Sequence, residues 1–261
     1  MKRLTNQETW HGRHTDQRIS ASRTNRIPWS IRQQHALLQR ILPTGPDVKT
    51  LEVGCYPGGF LKYFHRTFGH TVTGLEFVLE SCDRCKAMLE AQDVPATVIH
   101  GDLFKDKWNT DQSLWDVVFS AGLIEHFDDS SPAIEKHLQL VSPGGHCIIT
   151  LPNHSGLNGR VMKSLDRPMW DLHNKMCAKA VQDAFERSPS AGRFELLGCH
   201  YVEHFGLWNC GVYQWIGKPG KPGHFLGRGI GAVAEASLRW LPNTRLLSPN
   251  IIMIARAQQE A

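Results

Sequence analysis

The sequence predicts an α/β fold: a seven-stranded, mostly parallel sheet with helices on both faces, plus N-terminal and C-terminal helical and loop caps. Three observations carry this. Short apolar runs alternate with amphipathic stretches from Val48 onward. The first run ends in a glycine-rich turn that feeds a helix. Strand–helix units of this length join parallel strands by right-handed crossovers.

The expected strands are Val48–Val53, Thr71–Leu75, Thr97–His100, Trp115–Ser120 and His146–Leu151, with Gly59–Phe68, Leu79–Gln92 and Ala133–Leu140 as helices between them. Pro143-Gly144-Gly145 reads as a turn, and Pro152 stops the fifth strand. Residues 1–45 form a cap: a polar basic arm and one helix, Ser30–Leu42. Residues 46–261 form the main domain. Its insertions at 153–192 and 204–245 hold a long helical region, Leu157–Ser188, and an aromatic Gly/Pro-rich loop with a helix at Gly231–Trp240. Phe194–Val202 and Ile251–Ala255 complete the sheet. Six of eight tryptophans (Trp10, Trp29, Trp170, Trp208, Trp215, Trp240) lie outside 48–152, where they either pack the flanks or line a pocket.

Composition narrows the class. The 261 residues carry a net charge of +4, too weak to propose nucleic acid on charge alone. Residues 1–30 carry six Lys/Arg against two Asp/Glu, 31–203 carry 17 against 21, and 204–261 six against two, so a faintly acidic middle separates basic ends. No apolar run is long enough for a membrane span and no secretory signal opens the chain, while seven irregularly spaced cysteines suit a reducing cytoplasm.

The strongest motif is Glu52-Val53-Gly54-Cys55-Tyr56-Pro57-Gly58-Gly59. Glycine lets backbone approach a ligand, and a helix N-terminus offers free N–H donors. A dinucleotide fingerprint needs glycine where Tyr56 stands. The acid two positions before Gly54 resembles instead motif I of the class I S-adenosylmethionine-dependent methyltransferases, matched at Glu52, Gly54 and Gly58 and departing at Tyr56. Further matches follow in order: Glu76 ends the second strand, Asp102 follows the third, and Val141-Ser142-Pro143-Gly144-Gly145 precedes the fifth. Phe119-Ser120-Ala121-Gly122-Leu123-Ile124-Glu125-His126-Phe127 resembles the family's segment after strand four.

The resemblance implies a Rossmann-like sheet and S-adenosyl-L-methionine as cofactor. It assigns Glu76 to the ribose hydroxyls and Asp102 to the adenine amino group, with Leu103 alongside. Glu52, Gly54, Cys55, Gly58, Phe77 and Ala121 complete the expected cofactor contacts. Glu125-His126 resembles a motif of small-molecule methyltransferases, including ubiquinone-biosynthesis O-methyltransferases.

His126 is the leading general base, since an imidazole suits proton transfer near neutral pH. The alternative is that Glu125 and His126 only start the next helix. His154 is a second possible base, and Asn153, Trp170 and His173 are candidates for holding substrate, or make ordinary loop bonds. His200–Trp208 mixes rings and ionisable groups as pocket wall. Cys82-x-x-Cys85 lacks a second pair and reads as helix packing, so no metal ligands are singled out.

The segment after strand four lacks the [DN]-P-P-[FY] of nucleobase amine methyltransferases. The expected acceptor is therefore a small hydroxylated molecule, a sugar or natural product, and the expected partners include neither nucleic acid nor a membrane. N- or C-methyl transfer, or a partner protein that binds cofactor without catalysis, are the competing readings. Arg18, Arg23 and Arg26 either reach an anion or stay solvated.

Overall fold

A computed structural model describes residues 1–16, 27, 29–206, 233, 237–238 and 240–259. The sheet has seven strands: β1 (Lys49–Val53), β2 (Thr71–Glu76), β3 (Ala96–His100), β4 (Trp115–Ala121), β5 (Val141–Pro152), β6 (Phe194–Val202) and β7 (Asn250–Ala257). Their order is β3-β2-β1-β4-β5-β7-β6. The first five run parallel, and β7 pairs antiparallel with both β5 and β6. The order in which strands are laid across the sheet reverses between β1 and β4, so their carboxyl ends open a crevice at that switch point.

The helices are α1 (Gln7–Asp16), α2 (Arg32–Ile41), α3 (Gly59–Phe68), α4 (Leu79–Glu90), α5 (Ser131–Leu138), α6 (Leu157–Leu165), α7 (Arg167–Asp171) and α8 (Ala178–Glu186). They cover two cores. One joins α2, α3 and α4 to the sheet through Leu38, Leu61, Phe64, Cys85, Leu89 and Phe119. The other joins α5 and α8 through Ile134, Leu138, Val181, Phe185, Ile149 and Met253. Burial on both faces explains the apolar runs Val117–Phe119 of β4 and Cys147–Ile149 of β5, while β1 buries Thr50 and Glu52 beside Leu51 and Val53.

Three elements differ from the sequence expectation. The long helical region over Leu157–Ser188 is divided into three helices, α6, α7 and α8. Asp166 closes α6 and caps α7, accepting a hydrogen bond from the Met169 N–H at 3.1 Å. Pro168 forbids a continuous helix there. Pro143-Gly144-Gly145 is not a free turn: β5 already starts at Val141, and the pairing shifts between Trp115↔Val141 and Val117↔His146, which makes the glycines part of a bulge. The basic arm holds the unforeseen α1, whose start is marked by Asn6 accepting from the Thr9 N–H at 2.8 Å. The helix expected at Gly231–Trp240, together with Arg18, Arg23, Arg26, Trp208 and Trp215, falls mainly or wholly outside the described residues.

Candidate active site

The glycine turn after β1 is built by packing as much as by ligand access. Gly58 adopts φ +90°, and a Cβ there would stand 3.1 Å from both Cys85 Sγ and Leu89 Cγ. Glu76, buried at the end of β2, accepts from the N–H groups of Tyr56 (3.2 Å) and Val78 (3.0 Å) and so ties the turn to its neighbour strand. Burial raises its pKa, while those N–H donors oppose the rise. Glu52 lies beneath, also buried, and burial reinforced by Cys85 and Glu76 raises its carboxyl pKa well above the ordinary value. The Cys55 thiol is fully buried, 4.0 Å from Cys85 Sγ, and faces the α3/α4 core, so any contact of Cys55 with the crevice is through its backbone.

The crevice wall includes Gly54, Phe77, Asp102, Leu103, Leu123 and His126. Gly54, Phe77, Asp102 and Leu103 are thus where motif reasoning expected the cofactor, and Ala121 ends β4 beside them. An N-terminal strap, part of the expected basic cap, also occupies this place, through Arg3. Arg3 pairs with Asp102 Oδ1 and lies over Phe77, 4.5 Å from the ring centroid, with Phe104 and Phe127 at 5.2 and 5.9 Å. The strap is pinned by Leu4 N–H to the His126 carbonyl (2.8 Å) and Gln7 Nε2 to the Phe77 carbonyl (2.9 Å). The remaining cavity is about 60 Å³. A small-molecule site takes roughly 300–1,000 Å³, so the strap leaves the crevice narrower than such a site.

Beyond the crevice the fold gathers three histidines widely spaced in sequence. The His126 ring lies 4.6 Å from that of His173, centroid to centroid, and His173 lies 4.5 Å from His154. The segment after α7 crosses the turn after β4. The Asn174 N–H donates to the Glu125 carbonyl at 2.6 Å, and the His126 and His173 Nδ1 atoms sit 3.2 and 2.7 Å from the carbonyls of Leu172 and Met169. Trp10 meets the His126 ring edge-on at 4.7 Å, and Trp170 meets His154 at 6.4 Å. Gly159 permits this packing: a Cβ there would fall 1.8 Å from the His154 carbonyl oxygen and 2.6 Å from Trp170.

Electrostatics separate the members. Glu125 is buried beside His126, with Oε1 3.9 Å from Nε2, and burial pushes its pKa up to about 8. Burial and the neighbouring His173, His126 and Lys175 push the His154 pKa down to about 3. His154 is therefore neutral and a poor proton acceptor. Asn153 corrects another expectation. It is fully buried, and its Nδ2 is spent on the Arg245 and Ser248 carbonyls, both at 2.8 Å, so it staples the chain before β7 to the end of β5 rather than facing a substrate. Cys82 and Cys85 are buried on α4 as free thiols.

Known proteins agree with this architecture. A methyltransferase domain model matches residues 26–195. A ubiquinone biosynthesis O-methyltransferase of Psychrobacter cryohalolentis is 25% identical over 162 residues, covering 59% of this chain, and this chain spans 62% of that relative's length. A putative sarcosine dimethylglycine methyltransferase from Galdieria sulphuraria superposes with TM-score 0.58 at 16% identity, covering 88% of this chain and 84% of its own. Geranyl diphosphate C-methyltransferase from Streptomyces coelicolor, crystallised with S-adenosyl-L-homocysteine, gives 0.56 at 13% identity, covering 87% and 78%. With the family model spanning more than half its length, the sheet order and the glycine turn at the switch point, the chain belongs to the class I S-adenosylmethionine-dependent methyltransferases.

Proposed function

We propose that this methyltransferase moves the methyl group of S-adenosylmethionine to a hydroxyl of a small molecule, a sugar or natural product, with His126 as proton acceptor. One observation carries the reading. His126 lines the crevice, and its Nδ1, 3.2 Å from the Leu172 carbonyl, orients the imidazole at the edge where the acceptor would sit. The relatives' naming as O-methyltransferases supports a hydroxyl acceptor.

The cofactor brings an already activated methyl, so the chain's task is alignment and water exclusion. In this reading Glu76 takes the ribose hydroxyls on the lone pairs its two backbone donors leave open. Asp102 takes the adenine amino group once Arg3 has withdrawn, with Phe77 and Leu103 as apolar walls. The acceptor oxygen attacks the methyl carbon, the carbon–sulfur bond breaks, and the hydroxyl proton passes to His126 Nε2. Trp170, His173 and the rest of 153–192 form the acceptor wall. The six described cysteines are free thiols, in keeping with a cytoplasmic setting. No described helix is long and apolar enough to cross a membrane.

The test is a methyl-transfer screen over phenols, sugars and amines, with products located by mass spectrometry. O-methyl products are expected; a product methylated only on nitrogen or carbon overturns the hydroxyl assignment.

A further inference from the structure

Trp10, on the strap helix α1, forms a wall of the crevice together with Thr5, Leu123 and His126. Its ring stands 4.7 Å from that of His126, centroid to centroid, with the two planes at 87°. The indole Nε1 donates to Thr5 Oγ1 at 3.1 Å, which fixes the rotation of the ring. α1 is anchored in turn. Gln7 Nε2 donates to the Phe77 carbonyl at 2.9 Å, and His11 Nδ1 lies 2.6 Å from Glu80 Oε2 on α4. None of these contacts runs through Arg3, so its guanidinium can leave Asp102 while Trp10 keeps its place.

The charges around the crevice give that wall a use. S-adenosylmethionine carries its reactive methyl on a sulfonium, a cation. Among the described residues lining the crevice, Asp102 is the one acid; it is already paired with Arg3, and the placement above gives it to the adenine. Glu125, next to His126, supplies no counter-charge, because burial pushes its pKa up to about 8 and keeps it largely protonated at neutral pH. Beside His126 the crevice therefore offers a cation no carboxylate. It offers an aromatic ring, whose negative face attracts a cation, and more strongly once water is excluded.

We propose that Trp10 binds the sulfonium end of S-adenosylmethionine, its indole face standing in for the missing anion and its bulk keeping water from the methyl. The inference rests on the cofactor placement above, adenine at Asp102 and ribose at Glu76. It adds a means of telling donor from product. As the acceptor oxygen bonds to the methyl carbon, the electron pair of the carbon–sulfur bond passes to sulfur and the sulfonium becomes a neutral thioether. The attraction to the indole disappears with the charge, so Trp10 favours S-adenosylmethionine over S-adenosyl-L-homocysteine and eases release of the spent molecule. Its role is selective binding of the donor, which does not by itself speed the chemical step.

The experiment is calorimetry on the full chain without acceptor, with each of the two ligands, for wild type, Trp10→Leu and Trp10→Phe. Trp10→Leu should weaken S-adenosylmethionine about three- to tenfold more than S-adenosyl-L-homocysteine, and Trp10→Phe should restore most of that difference. Equal loss of both ligands, or loss of neither, overturns the contact, since an indole that only supports the wall serves cation and thioether alike. If Trp10→Leu fails to fold, Trp10→Met is read in its place. Glu76→Ala, run alongside, separates the failures. It should weaken both ligands together; if it does so while Trp10→Leu shows no preference, only the Trp10 contact falls. If Glu76→Ala spares both ligands while Trp10→Leu discriminates between them, only the ribose placement falls.

Discussion

The cofactor crevice and the histidine cluster adjoin each other but are made in opposite ways. The crevice comes from consecutive turns at strand ends: Gly54 after β1, Phe77 after β2, Asp102 after β3. The cluster comes from one long excursion after β5, folded back so that His154 and His173 reach His126 across 28 and 47 residues. The first kind of site is set by sheet topology, the second by a few carbonyl contacts and one glycine. The two sites therefore respond differently to substitution.

The largest expected effect concerns the sheet faces on which these regions rest. Each face buries a histidine. His70, on the α3 side, has Thr50 Oγ1 at 2.8 Å and the Pro43 carbonyl at 2.8 Å, and burial lowers its pKa. His137, on α5, has the Ala133 carbonyl at 2.7 Å, while its Nε2 has no partner among the described residues, and burial lowers its pKa to about 4. A folded pKa below the unfolded one means that stability is complete above about pH 6.5 and is lost as pH falls toward 4. The span from 6.5 to about 4 is worth about 3 kcal/mol. Melting temperature should drop steeply from pH 7 to 4.5, and His137→Gln should flatten that slope more than His70→Gln. Equal slopes in both variants contradict the assignment.

Next comes His126→Ala. Loss of the proposed proton acceptor should reduce kcat by about a hundredfold. Binding of S-adenosylmethionine should change little, because Gly54, Phe77 and Asp102 remain. A parallel loss of donor affinity would mean that crevice and cluster are one unit.

Gly159→Ala attacks the cluster from behind. The added methyl meets the His154 carbonyl, so α6 must shift, at a cost of about 1–3 kcal/mol. Turnover should fall about tenfold with donor affinity kept; unchanged turnover would show that the position of α6 is irrelevant to the acceptor.

The same contrast explains what the sequence disclosed. The strands, the helices α2 to α5 and the crevice residues were legible because each signal is local: an apolar run, a glycine, an acid at a strand end. Even there the direction of the Cys55 side chain was not legible, since a motif position does not say which way a side chain turns. The individual histidines could be nominated, but their meeting could not, because it depends on Asp166 and Pro168 breaking a helix and on the Leu172 and Met169 carbonyls. Asn153 shows the reverse error: a polar residue at the right edge whose bonds are already spent on carbonyls 92 and 95 residues away.

The smallest effect tests the strap, which joins the two regions by pairing Arg3 with Asp102 and placing Trp10 on His126. In the proposed placement, the adenine amino group would meet an Asp102 Oδ1 that already accepts from Arg3 and from the Phe104 N–H. The guanidinium also covers the Phe77 ring that would face the base. On the proposed reading, cofactor binding includes loosening this partly exposed ion pair, worth about 1 kcal/mol or less. Arg3→Ala removes that competition and should tighten binding of S-adenosylmethionine by about two- to fivefold, read by calorimetry. Weaker binding in the variant would reverse the role: Arg3 would then belong to the bound state, and the strap would be part of the cofactor site rather than its competitor.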